Sequence, residues 1–229
     1  LGSDMGDGKK GLSKKYMMQA VEDSLQRLQT DHIDLYQSHF DDLETSVGET
    51  MEGYAELIKQ EKVKVCGASN LSGERLKESL EFSKQHGLPK YETLQPEYNL
   101  YNREKFEKEY GQICIENNLS VLTYFSLASG FLTGKYRLED DKTKSVRGGS
   151  MDKYMNERGF RILDALDEIA KYYETTPAAV SLAWLLAQPT VAAPIASATS
   201  IEQLNELMSA ANLELNKDAI DMLDKASEY

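Results

Sequence analysis

Two cysteines, three histidines, five prolines and one tryptophan are all that the 229 residues hold of these types, and each scarcity excludes something. Cys66 and Cys114 sit inside the apolar segments VKVCGAS and GQICIEN, without metal-ligand spacing, so they read as reduced core thiols rather than a disulfide framework or a metal site. No metal centre is expected. No apolar run reaches the roughly 20 residues of a membrane-spanning helix. No signal-peptide pattern precedes the first helical segment, and the expectation is a soluble, cytoplasmic protein without a membrane partner. Basic residues are outnumbered, 26 Lys and Arg against 38 Asp and Glu, for a formal charge of -12. That field repels phosphate backbones and anionic lipid, which argues against nucleic acid as a partner and requires any anionic ligand to be held by a local site. Also missing is a G-x-G-x-x-G after any strand-like run, which removes the Rossmann signature.

What is present is a repeated alternation. From Ser13, SKKYMMQAVEDSLQRLQ places Met17, Ala20, Val21, Leu25 and Leu28 at helical spacing behind a serine cap, and the strand IDLYQSH follows almost at once. The sequence then predicts a helix over 47–58, a strand from Lys62, a helix over 73–85 closed by His86-Gly87, and a strand over 92–95. A helix over 103–116 leads to LSVLTYF, helices over 157–173 and 178–187 lead to TVAAPIAS, and two helices from Ser200 and Asn216 close the chain. Short β-branched runs separated by helices mean parallel strands with crossover connections, an α/β chain folding as one domain over 1–229. Without a Rossmann motif the expected architecture is a (β/α)8 TIM barrel of which about five strands are present, its active site where strands end.

Those ends are polar. Gln37-Ser38-His39, Gly67-Ala68-Ser69-Asn70, Gln95 and Tyr124-Phe125-Ser126 follow apolar runs, and such groups are costly unless they bond one another, water or a ligand. A lone histidine is more often structural than catalytic, and His32 and His86 keep that reading.

IDLYQSH, VKVCGASN, LQPEYN, TYFSLASGFLTGKY and PIASATSIEQLNE resemble, in this order and spacing, the successive strand-end motifs of the aldo-keto reductases, from about Ser13 to the C-terminus. The resemblance implies a (β/α)8 barrel that binds NADP(H) at its C-terminal rim and reduces aldehyde or ketone carbonyls to alcohols. His39 matches the histidine that hydrogen-bonds the substrate carbonyl. Ser69, Asn70 and Gln95 match the trio on the nicotinamide carboxamide, and Tyr124 the aromatic stacked on the nicotinamide ring. Phe125, Ser126, Leu127, Ser129, Gly130, Leu132 and Lys135 fall in the loop that folds over the pyrophosphate, although Phe125-Ser126 stands where relatives more usually carry Ser-Pro.

Ser197, Thr199, Gln203 and Glu206 match the positions around adenosine and its 2'-phosphate, with Ser197 and Thr199 where many relatives carry a glycine and a basic residue. Losing that cation would weaken preference for NADPH over NADH. The family's proton-donating tyrosine, aspartate and lysine match nothing in the 229 residues. The loop LGSDMGDGKKG resembles the connection after the family's third strand, so the three are expected upstream of Leu1, with this stretch alone inactive. An alternative of another class is a NADPH-binding regulatory or sensor subunit of the same fold with little turnover, and the oligomeric state stays open. The loops LETSVGET and RLEDDKTKSVRGGSMDKYMNERG would set the substrate, and the second is expected to be mobile without cofactor.

Overall fold

A computed structural model describes the 229 residues except 4–5, 7–9, 145–148 and 150. The expectation of mobility in 137–159 falls in part on 145–148 and 150, which lie outside the described residues. Two compact units are formed, Leu1–Pro96 with Glu109–Val121, and Glu97–Lys108 with Leu122–Tyr229.

In the first unit, helices α1 (Lys14–Leu28), α2 (Val47–Lys59) and α3 (Gly73–His86) alternate with strands β1 (Ile33–Ser38), β2 (Val63–Ser69) and β3 (Tyr91–Gln95). Each helix begins at a serine, Ser13, Ser46 or Ser72, whose hydroxyl accepts from a backbone N–H three residues on, satisfying one of the orphan donors of the first turn. Gly87 ends α3 in the left-handed region at φ 63°. Met17, Val21, Met51, Tyr54, Leu57, Leu76 and Tyr91 are almost wholly buried and make the core between helices and strands. Leu28, on the periodic stripe of α1, is instead 64% exposed, because Gln29 turns the chain away in the left-handed region at φ 56°.

β1 and β2 pair in parallel from Ile33↔Val63 to Ser38↔Ala68. β2 and β3 pair in parallel with a register shift between Cys66 and Gly67, which sets Gly67 opposite Thr93 and Ser69 opposite Gln95. β4 (Ser120–Thr123) joins β3 through Thr93↔Ser120 and Leu94↔Val121. The segment predicted as one helix over 103–116 holds a π-helical turn, Phe106–Tyr110, before α4 (Gly111–Asn117). The extra residue lets Tyr110 donate to Leu71 O at 2.8 Å and Glu109 accept from Gly73 N–H at 2.6 Å, adding a carboxylate to the start of α3.

The second unit holds α5 (Glu157–Tyr172), α6 (Pro177–Leu186), β5 (Val191–Pro194), α7 (Ile201–Ser209) and α8 (Lys217–Ala226). Trp184, Phe131, Leu132, Tyr136, Tyr154, Ile162, Leu163, Leu166 and Leu223 are its buried core. α7 buries none of its residues. Past β5, the Ile195 N–H donates to Thr123 O at 2.8 Å. The strand order is β1-β2-β3-β4-β5, an open run of five parallel strands. Among the described residues no helix is long and apolar enough to cross a membrane.

Candidate functional site

Strand alternation sorts the end of β1. Ser38 points to the helix side, where its buried hydroxyl meets Tyr54 OH at 2.9 Å and Tyr91 OH at 3.1 Å. Burial raises both phenols above their ordinary range, so the three hydroxyls remain a neutral, hydrogen-bonded anchor. Gln37 takes the opposite face. His39 follows on the exposed rim, its ring stacked on Phe40 with centroids 4.4 Å apart and Nδ1 at 3.0 Å from Ser3 Oγ.

Around it a bonded cluster forms. Asn70, in the left-handed region at φ 52°, donates from Nδ2 to His39 O at 2.8 Å and to Ser69 Oγ at 3.0 Å. Ser69, itself buried, donates to Gln95 O at 2.8 Å. Gln95 Nε2 donates to Gln37 Oε1 at 3.4 Å. The four residues that sequence reasoning assigned to carbonyl and carboxamide chemistry in this unit, His39, Ser69, Asn70 and Gln95, are thus linked through side chains and main chain. Sequence reasoning did not assign Gln37 or Ser3. The signal for Gln37 was available, since it lies two residues before His39 in an alternating strand and is too polar for an apolar layer.

The loop after β1 is held from α3. Arg75 reaches Asp41 Oδ1 at 3.1 Å, Asp42 O at 3.1 Å and Thr45 O at 2.6 Å. Burial of the Asp42 carboxyl raises its pKa, but the Thr45 hydroxyl and the N–H groups of Leu12, Glu44 and Thr45 outweigh that and hold it below its ordinary 3.8. Cys66 lies beneath this surface, and burial pushes its thiol up to about 12.

The second unit holds the remaining candidates. Tyr124 is half-buried, its phenol raised by burial, and its ring meets Phe125 edge-on with centroids 5.4 Å apart. Phe125 is 52% exposed, and its carbonyl accepts from Asn99 Nδ2 at 3.0 Å. Ser126 is buried, its hydroxyl 2.9 Å from Ile195 O and 2.9 Å from Thr123 Oγ1, tying the ends of β4 and β5. Leu127 O accepts from the N–H groups of Gly130 and Leu132. Ala128, Ser129 and Gly130 run consecutively through the left-handed region at φ 47°, 58° and 97°. Leu132 is fully buried and anchors the turn. Lys135 returns over it, with Nζ 3.7 Å from where a Cβ on Gly130 would stand. A short glycine loop beside one ammonium group is chemically able to receive an anion. At the start of α7, Thr199 N–H and Oγ1 donate to Gln203 Oε1 at 2.9 and 3.0 Å, and Gln203 N–H donates to Ser200 Oγ. Ser197 and Glu206 are exposed.

Residues 3–228 match the family model described as "Aldo/keto reductase family". Protein tas of Escherichia coli (strain K12) is 31% identical over an alignment that covers 91% of this chain and 66% of that protein. Uncharacterized oxidoreductase YrpG of Bacillus subtilis (strain 168) is 31% identical, covering 97% of this chain and 68% of that protein. A thermostable aldo-keto reductase solved in complex with the inhibitor epalrestat aligns with a TM-score of 0.75 at 25% identity, covering 94% of this chain and 67% of that one. The chain therefore spans about two thirds of the length of these relatives, and its parallel strands and flanking helices are of the TIM-barrel class that this family adopts. The chain belongs to the aldo/keto reductase family.

Proposed function

We propose that this chain holds NADP(H) for an oxidoreductase that reduces aldehyde or ketone carbonyls to alcohols. The observation that carries the reading is the bonded cluster His39, Ser69, Asn70 and Gln95 at the strand ends of a chain in this family. The residues fit such a group in kind. Side-chain amides at Asn70 and Gln95 suit a primary carboxamide, and the glycine loop beneath Lys135 suits a pyrophosphate. The bound cofactor supplies the hydride. His39, on the rim of the first unit, would donate a hydrogen bond to the carbonyl oxygen and stabilise the charge that develops there.

Turnover requires the tyrosine, aspartate and lysine that match nothing in this sequence, so the reading is tested on this chain by cofactor binding. Protein fluorescence is titrated with NADPH and with NADH. Saturable NADPH binding, weakened by Asn70→Ala, is expected; no binding of either nucleotide would overturn the proposal. In a protein that also carries those three residues, NADPH consumption with an aromatic aldehyde should fall on His39→Ala, and an unchanged rate would remove His39 from the chemistry.

A further inference from the structure

We infer that Asn99 is a positioning residue: its side-chain amide holds the turn after β4 and so sets the plane in which Tyr124 meets the ring of a ligand. The inference rests on the proposed placement of Tyr124 against the nicotinamide, and every residue it uses belongs to the second unit. Asn99 is fully buried. Its oxygen accepts from the N–H groups of Tyr101 at 2.9 Å and Asn102 at 2.8 Å, and its amino group donates to Phe125 O at 3.0 Å. Turned over, the amide would set its amino group against two donors and its oxygen against a carbonyl, so all three bonds would be lost together. Its orientation is thereby fixed by the main chain alone. The segment it belongs to is braced in turn, because Asn102 Nδ2 donates to Glu97 Oε1 at 2.6 Å.

What the Asn99 donor holds is strained. Phe125 stands at φ 49°, in the left-handed region, where a bulky side chain is an outlier that persists only if its surroundings over-determine it. They do so at its carbonyl, which accepts from the Ala128 N–H at 2.7 Å as well as from Asn99. Tyr124, before the turn, pairs with Glu97 across an isolated parallel bridge, and Ser126, after it, donates to Ile195 O at 2.9 Å. Successive side chains of a strand point to opposite faces, so two neighbours touch only where the chain leaves the strand. The turn at Phe125 achieves this: its ring meets that of Tyr124 edge-on, with centroids 5.4 Å apart and planes at 70°. Such a neighbour fixes the plane of a half-buried ring. Without the Asn99 donor the Phe125 carbonyl keeps one bond, the backbone relaxes toward negative φ, and the Tyr124 ring loses its buttress.

Calorimetric titration tests this by comparing NADP+ with 2'-phospho-ADP-ribose, the same molecule without nicotinamide. Wild-type chain is expected to bind NADP+ about tenfold more tightly, the worth of one aromatic stack. Asn99→Asp keeps the oxygen that serves both N–H groups and exchanges the donor for a second oxygen facing Phe125 O. It should bring the two affinities within about threefold by weakening NADP+ alone, as should Tyr124→Ala, and in the Tyr124→Ala background it should change nothing further. Asn99→Ser, whose hydroxyl closes the same kind of turn without an amide donor, is the second arm if the Asp variant does not fold. An unchanged ratio in the folded Asn99 variants would overturn the inference. Equal loss of both ligands would also overturn it, because Asn99 would then hold the fold rather than the ring. Wild-type chain that binds both ligands alike would overturn it while leaving the proposed function standing; wild-type chain that binds neither would take both down.

Discussion

Gly67→Ala probes the packing that floors the strand-end cluster, and its size can be worked out. An added Cβ would lie 2.1 Å from Thr93 Oγ1 and 3.2 Å from both Gln37 Cγ and Leu35 Cδ1. Non-bonded heavy atoms prefer about 3.5 to 4.0 Å, so more than 1 Å must be absorbed against a β-branched side chain on the paired strand, which has few rotamers to escape into. Overpacking of this kind costs about 1–3 kcal/mol, and three contacts on a hydrogen-bonded strand place it in the upper half. Against that, alanine restricts the unfolded chain and returns about 0.5–1 kcal/mol. The net expectation is a loss of about 2 kcal/mol. Thr93→Ala deletes the atom that is struck, a buried hydroxyl that makes no hydrogen bond among the described residues, so alone it should be nearly neutral and in combination it should rescue Gly67→Ala, a coupling of about 2 kcal/mol. Urea unfolding followed by far-UV circular dichroism measures all four chains. With a slope of about 2 kcal/mol/M, the single variant should unfold about 1 M earlier at unchanged slope. A midpoint equal to wild type, or a double variant worse than the sum of the singles, would refute the reasoning.

Other outcomes follow from single observations. Burial pushes both Cys66 and Cys114 up to about 12, so neither thiol should react with an aromatic disulfide at about pH 8 until the chain is unfolded, and a rapid native reaction would contradict their placement. Arg103 bonds Glu107 at 2.6 Å, Asp224 at 2.8 Å and Ser227 at 2.7 Å over the face of Trp184; Arg103→Ala should cost about 3 kcal/mol and shift Trp184 emission, with Arg103→Lys recovering only part, as measured by urea unfolding. Asp42 is held below its ordinary 3.8, so it adds stability that is full above about pH 4 and is lost as pH falls through the depressed folded value; Asp42→Asn should flatten the loss of urea midpoint between about pH 5 and about pH 3. Gly130 sits at φ 97° with Lys135 Nζ above it, so Gly130→Ala should strain the loop and weaken NADPH binding in a fluorescence titration while leaving the circular dichroism spectrum unchanged.

Much of the framework is legible in local chemistry. Ser13, Ser200 and Asn216 announce helices because a short side chain that accepts from the first-turn N–H groups is useful only there, and each does cap the helix expected of it. The strands are legible from apolar runs that end in amides and hydroxyls. What stays hidden depends on partners distant in sequence. The π-helical turn at Phe106–Tyr110 serves Leu71 and Gly73, more than thirty residues upstream. The turn at Ala128–Thr133 puts alanine and serine where φ is positive, a conformation that local preference disfavours and that buried Phe131 and Leu132 impose.

The candidate site divides along the same line. His39, Ser69, Asn70 and Gln95 stand out as polar residues at the ends of apolar runs, and it is the resemblance of those runs to the family's motifs that gives each its candidate role. Gln37 ends the same apolar run and shows the same polarity, but its contact with Gln95 at 3.4 Å lies in the register of three strands and in an atom that Gly67 does not have. A residue that binds a ligand leaves its mark in side-chain chemistry, which a sequence displays. A contact between two such side chains leaves its mark only in geometry, and that geometry exists only once β1, β2 and β3 are paired.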